Sequence, residues 1–410
     1  MAAPAVAAES RAARPARLVF RVPHRFFFLA GVALLSLASL WWTWVILARA
    51  WPALPPPASP VPDTVLHAFV MTCGFAPFFM FGFLFTAGPR WLGMPPLPSV
   101  AWLPGGLIAA SGALLLVPLQ AAGAAPVALR VAAGIYAVGW LLLLGSFFRL
   151  MRASPVPDKV HAAIVLAALA VGACSPLAFA FLGARAHGWI RGTAVGCFLV
   201  PVFVTVCHRM IPFFTSGAAP FVTAFRPWWL LGVLAGAPVV HAGLAAAGLD
   251  GWTWLVDLPV AAVALWLAFR WGLAQSLRNR LLAMLHLGFV WYGLGFLLAG
   301  ASSLAQLAGG TGLGLAPLHA LTIGFAASLL LAMVTRVTCG HSGRTLAADA
   351  VTWRLFQLLQ LAALARVAAE ALPGRAAYVA AALAWSVCFV AWSAKYAPVY
   401  WRPRADGRPG

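Results

Sequence analysis

Apolar residues in this chain come in long, nearly unbroken stretches, not in the short alternations of a soluble fold. Twelve such runs can be marked, at approximately 26–48, 64–88, 100–121, 126–148, 160–183, 189–208, 227–248, 252–271, 281–306, 316–335, 351–371 and 376–399. A helix rises about 1.5 Å per residue, so about 20 apolar residues cross the roughly 30 Å of hydrocarbon in a bilayer. The segments between runs are short and rich in Pro, Gly and Arg, as in the stretch from Trp51 to Asp63. They leave no room for a domain outside the membrane. The pattern predicts an all-α, polytopic membrane helix bundle of about 12 transmembrane helices, forming a single transmembrane domain over 21–402. A low-complexity Ala/Arg/Pro tail at 1–20 is expected to be disordered, and 403–410 forms a second basic tail.

Arginines ahead of the first run, with Ala48-Arg49-Ala50 after it, imitate a secretory signal. The run is about 23 residues long, against roughly 7–15 for the apolar region of such a signal, so a retained first span is expected. Prolines inside the runs (Pro77, Pro118, Pro176, Pro201, Pro238 and Pro259) predict kinks whose freed carbonyls need partners on neighbouring helices. Small residues at Gly288, Gly293 and Gly295 predict close helix packing.

Composition sharpens this picture. Of 410 residues 63% are apolar and 9% charged, where a soluble domain carries roughly 25% charge. A soluble enzyme, a disordered chain and a coiled coil are thereby excluded. The net charge of +19 would suggest nucleic acid in a soluble protein. Here the basic residues punctuate the apolar runs, as loops that hold a membrane protein against an anionic leaflet do. With the first residues placed in the cytoplasm, 21 of the 27 basic residues fall on the cytoplasmic side. The other side keeps Arg49, Arg130, Arg185, Arg191, Arg366 and Arg375. This asymmetry predicts an even number of spans and both termini in the cytoplasm. The six cysteines include no CxxC pair and define neither a disulfide framework nor a zinc knuckle.

Polar chemistry inside the runs is sparse. Asp257 is the clearest carboxylate, which argues against a carboxylate proton relay. Histidine is the recurring polar group. His67 and His319 lie about one turn inside the outer ends of the second and tenth runs, at one level of the outer leaflet. His286 lies near the inner end of the ninth run, His208 at the inner end of the sixth, and His341 in the loop after the tenth. Imidazoles from different helices at one depth could hold a haem or a copper ion. His24, His161, His187 and His241 read as interfacial polar residues. Met71 lies four residues after His67, on the same helix face, and its thioether beside an imidazole suits copper or haem iron. Arg209 and Arg336 end the sixth and tenth runs, and Arg344 follows His341; each could pair with haem propionates or another anion, or serve as a membrane anchor.

These segments together resemble the NnrS family of bacterial inner-membrane proteins, over about 26–408. His67-Ala68, Met71 and Gly74, then Gly82-Phe83-Leu84, Thr86-Ala87, Pro89 and Trp91-Leu92-Gly93, look like the family's HAHEM…GFLLTAxPxWxG stretch. Arg209-Met210-Ile211-Pro212-Phe213-Phe214-Thr215 looks like its GRVIPFFT, and Leu285-His286-Leu287-Gly288-Phe289 with Trp291 like its WHLGYxW. His319-Ala320-Leu321-Thr322-Ile323-Gly324 with Met333-Val334-Thr335-Arg336-Val337 looks like HALTVG…MTRV, and Gly340-His341-Ser342-Gly343-Arg344 like GHTGR. The resemblance implies a haem- and copper-containing protein of the bacterial inner membrane, tied to nitric oxide metabolism and protection against nitrosative stress. It implies His67, His319, His286 and His341 as cofactor or metal ligands; Met71 as a further metal ligand and Arg209, Arg336 and Arg344 near bound carboxylates remain readings of the residues themselves.

Two departures bear on the cofactor. Phe69 and Val70 stand where the family carries His and Glu, which takes an imidazole and a carboxylate from any copper site there and favours haem. His208 stands where the family has Gly, adding a ligand or capping the helix. The competing reading is a cofactor-free membrane transporter or assembly factor, with the histidines lining a cavity. A full haem–copper oxidase or nitric oxide reductase would need more histidines than these helices offer. The expected partners are the bilayer and a small gas such as nitric oxide, with no nucleic acid.

Overall fold

The computed structural model describes residues 18–218 and 221–407. Most of the basic tail expected at 1–20, and the end of the tail at 403–410, lie outside the described residues. Leu18 and Val19, at the edge of that expected tail, are buried in a helical turn.

Among the described residues all regular structure is helical. The main helices are α1 (Pro23–Ala50), α2 (Asp63–Trp91), α3 (Leu103–Ala121), α4 (Pro126–Ala153), α5 (Val160–Leu182) and α6 (Val200–Ala218). They continue as α7 (Trp228–Ala246), α8 (Trp254–Arg270), α9 (Arg280–Leu307), α10 (Ala316–His341), α11 (Ala350–Ala368) and α12 (Ala376–Trp401). Nine stretches of the described residues are long and apolar enough to cross a membrane. One of them, Val160–Ala218, contains both α5 and α6, joined through the short turn His187–Arg191. Two helices stand outside these stretches. α8 has 17 residues, and α11 carries Arg354, Gln357, Gln360 and Arg366 and is less apolar. The outer surface is apolar as well as the core: Val131, Leu141, Phe181, Phe269, Leu361 and Val387 are all exposed. Such a surface suits lipid, and the chain is a multi-pass membrane protein.

Sequence neighbours pack as antiparallel pairs, most extensively α3 on α4 and α8 on α9. The last helix, α12, returns to lie along α1. The start of α1 and the end of α12 therefore meet at one end of the bundle, where Arg25 donates to the carbonyls of Tyr400 (3.3 Å) and Arg402 (2.8 Å). At that same end Asp349 caps α11 by accepting from the Thr352 amide at 2.9 Å and binds Lys395 of α12. Burial raises the Asp349 carboxyl, but the Lys395 ammonium and the Thr352 amide outweigh this and hold it at about 2.

The prolines expected to free carbonyls do so, and two tyrosines answer them. Pro77 has no N–H to offer the Cys73 carbonyl four residues back. The Tyr136 hydroxyl of α4 donates to that oxygen at 2.6 Å and to the Gly74 oxygen at 3.2 Å. Pro238 likewise leaves the Leu234 carbonyl of α7 open, and the Tyr292 hydroxyl of α9 donates to it at 2.6 Å. Ahead of Pro77 and Pro201 the helix widens into π-turns, at Val70–Gly74 and Val195–Leu199. Replacing Tyr136 by Phe keeps the ring but leaves the Cys73 oxygen unpaired in a dry interior. We expect a loss of about 1–2 kcal/mol, seen as a lower melting temperature in detergent. An unchanged Tm would show that the π-turn satisfies that carbonyl by itself.

Candidate functional site

Helix α10 organises the polar chemistry. His319 lies near one end and His341 at the other, about 33 Å apart along the axis, close to the thickness of the hydrocarbon layer. Each imidazole donates its Nδ1–H to the carbonyl one turn back. His319 reaches Leu315 at 3.0 Å, and His341 reaches Val337 at 3.0 Å. That bond fixes the tautomer and leaves Nε2 with a free lone pair, the arrangement usual in histidines that bind metals.

At the His319 end of α10 the His319 ring lies within electrostatic range of His67 of α2. The sequence placed these two imidazoles at one depth, and in the fold each feels the charge of the other. His67 carries a buried Nδ1 with no hydrogen-bond partner. The indole of Trp42 on α1 stacks on its ring at 3.7 Å and 18°. Both histidines stand directly before π-turns: Val70–Gly74 follows His67 by three residues, and Ala320–Ala327 follows His319 at once. Such widened turns are frequent at functional sites. Arg366 of α11 acts on both rings and is itself paired with Glu370 at 2.6 Å. Across from it Arg49 lies over Trp42, 5.4 Å from its ring centre, and pairs with Asp63 at 3.3 Å. Met71 is half-buried on the π-turn that follows His67.

Toward the His341 end, His286 and His341 each have a different partner. His286 is fully buried, and its Nε2–H donates to the Thr215 hydroxyl at 2.8 Å. Thr215 passes its own proton to the Ile211 carbonyl at 2.9 Å, which leaves the buried Nδ1 of His286 unpartnered. His341 adjoins His24 of α1, with ring centres 4.9 Å apart. His24, read from the sequence as an interfacial residue, is 7% exposed. His161 and His208 form another linked pair, with His161 Nε2–H donating to His208 Nδ1 at 3.0 Å and His208 Nε2–H to the Pro227 carbonyl at 3.2 Å. His241 donates to the fully buried carboxylate of Asp257 at 2.9 Å.

The three arginines singled out from the sequence lie toward the His341 end of the bundle. Arg209 sits over the Trp91 ring at 4.8 Å, and Arg336 over Phe214 at 3.7 Å. Arg344 has a buried Nη1 without a partner. Thus Phe214 and Thr215, adjacent in one sequence motif, carry Arg336 and His286 from two others. Between α1, α2, α6 and α10 lies a cavity of ≈ 50 Å³ whose lining is wholly apolar, including Phe28, Phe79, Met80, Phe203, Met333 and Val337.

Trp42, His24, Arg366 and Glu370 escaped the sequence reading. Arg366 and Glu370 carried a signal, as an i,i+4 pair of opposite charges at the end of an apolar run. For Trp42 there was none, because one tryptophan among 19 is not distinguished by pattern. Among the described residues no group of three or more His, Cys, Asp or Glu side chains gathers as a metal site would require. His67 and His319 do offer donor nitrogens, one imidazole whose Nε2 is free and one whose buried Nδ1 lacks a partner. No curated protein matches the chain. The family model described as NnrS protein matches residues 18–404, nearly the whole length, and the chain belongs to the NnrS family.

Proposed function

We propose that this protein is a haem-binding protein of the bacterial inner membrane, acting in nitric oxide metabolism or in protection against nitrosative stress. The observation that carries this reading is a buried His67 nitrogen without a partner, within electrostatic range of a His319 whose backbone bond orients its other nitrogen. A buried polar atom left unpaired is costly, and a ligated metal is one way to satisfy it. On this reading His67 and His319 hold the haem, Trp42 fixes the His67 ring plane, and Arg366, held by Glu370, keeps a positive charge near both rings. Bound haem would supply an iron that takes a diatomic gas in place of one of the two imidazoles, without a catalytic base, in keeping with the scarcity of acids in the bundle. The apolar cavity supports the gas part of the reading, since a dry cavity accepts a small uncharged molecule. Twelve crossings with both ends in the cytoplasm complete the proposal, carried by the charge asymmetry and by the meeting of α1 and α12 at one end.

The test is a pyridine haemochrome spectrum, with metal analysis, of full-length protein purified after expression with ample haem. About one haem per chain is expected. A preparation with no Soret absorption would sink the proposal.

A further inference from the structure

We propose that α2, α6 and α10 form a site for one anionic phospholipid, with its phosphate on Arg209 and Arg336 and an acyl chain in the apolar cleft beside them. Three observations carry this. First, both guanidiniums are drawn partly out of water without a counter-ion. Arg209 and Arg336 are half-buried, and the ion pairs among the described residues all involve other groups. Asp158 acts on Arg209 from beyond pairing distance, and Arg226 sets a second positive charge near it. Withdrawing a charge from water is costly unless an opposite charge meets it. Each guanidinium instead lies against a ring, Arg209 over Trp91 at 4.8 Å and Arg336 over Phe214 at 3.7 Å. Stacking engages the flat face of the fork and leaves its N–H edges to an anion, and phosphate oxygens match those edges in pairs.

Second, the same two side chains stand at the foot of the cleft. Val206 of α6 and Met333 of α10 line it, each about one helical turn ahead of its arginine. Phe83 of α2 lines it too, with its ring 5.4 Å from Trp91. One wall therefore meets the ring beneath Arg209, and the other continues into Arg336. Phe83, Phe203, Val206, Met333 and Val337 are half-exposed, whereas Phe28, Phe79 and Leu84 are buried. The acyl chain lies along the half-exposed mouth and leaves the buried interior to an uncharged gas.

Third, the surroundings select a lipid over other anions. A free oxyanion would leave the apolar mouth uncovered. No histidine is among the lining residues, and Arg336 stands about 25 Å along α10 from His319, beyond the reach of a haem carboxylate there. The charge asymmetry assigns both arginines to the cytoplasmic side, where basic pockets between helices hold anionic head groups. Which leaflet supplies the lipid rests on the orientation proposed above, and haem plays no part in the site.

The experiment is native mass spectrometry of full-length protein in detergent, delipidated and then titrated with dioleoyl phosphatidylglycerol, dioleoyl phosphatidylcholine or inorganic phosphate. About one phosphatidylglycerol per chain is expected, bound about tenfold or more tightly than phosphatidylcholine and not displaced by phosphate. Arg209→Gln and Arg336→Gln should each weaken it about fivefold, the weight of one arginine at an anionic surface. Met333→Trp fills the cleft with both charges kept and should weaken it as well. Arg278→Gln, at an exposed arginine of the same side, should leave it unchanged. Melting curves report whether each variant is folded. Should one fail to fold, wild-type protein is irradiated with phosphatidylglycerol carrying a diazirine in its acyl chain, and cross-links to cleft residues of α2, α6 or α10 are expected. Equal affinity for the two lipids, displacement by phosphate, undiminished binding in a folded Arg209→Gln, Arg336→Gln or Met333→Trp protein, an equal loss in Arg278→Gln, or cross-links only elsewhere overturns the proposal. Lipid bound by protein without a Soret band leaves this site standing and removes only the haem.

Discussion

Alanine at His67 or at His319 is expected to abolish haem retention, with the Soret band falling to less than about a tenth of wild type in protein that still elutes as a single species. The reason is geometric. His67 brings a buried nitrogen with nothing else to bind, and His319 is locked by its bond to Leu315, so neither is replaced by rotation of the other. Alanine at His187, in the turn before α6, serves as the control and should leave the spectrum unchanged. Free imidazole added to the His67→Ala protein should restore part of the band, because the space vacated beneath Trp42 has the shape of that ring. Full Soret intensity in both single variants would refute the assignment of these ligands.

Alanine at Gly139 is expected to destabilise the bundle more than any other single methyl group added to it. A Cβ there would stand 2.2 Å from the Ala109 backbone nitrogen, and one at Gly112 2.4 Å from that of Tyr136. Both obstacles are main chain, so no side chain can swing away and the whole of α3 must retreat from α4. The same movement would lift Tyr136 from the carbonyls it satisfies at the π-turn of α2. Overpacking of this kind costs about 3 kcal/mol or more when a backbone must shift. Gly236→Ala provides the contrast: nothing lies within 4 Å of its added methyl group. Within α7 it should be neutral or stabilise by up to about 1 kcal/mol. Thermal unfolding in detergent measures both, and equal melting temperatures for the two variants would contradict the packing argument.

The glycines marked from the sequence do pack closely. Gly293 meets Leu265, and Gly295 meets Leu321. Those neighbours are side-chain tips that can adjust, whereas the tightest approach, at Gly112 and Gly139, carried no clearer signal in the sequence. Small residues reveal that helices can come near, and only their partners reveal where they must.

What the amino-acid order determined by itself was local. Runs of apolar residues dictate helices, because in a bilayer each backbone group must be satisfied within its own segment. Depth follows from counting residues, and that count placed His67 and His319 at one level before any packing was known. The motif order also pointed to the family that the whole chain belongs to. The tertiary structure decided which groups meet. His24 and His341 lie more than three hundred residues apart, and their rings meet only through the packing of whole helices. Tyr136 and Tyr292 find the carbonyls opened by Pro77 and Pro238 on other helices. Helical periodicity relates residues three or four apart. Pairings across some three hundred positions depend on how whole helices settle against each other, and a linear pattern holds no record of that.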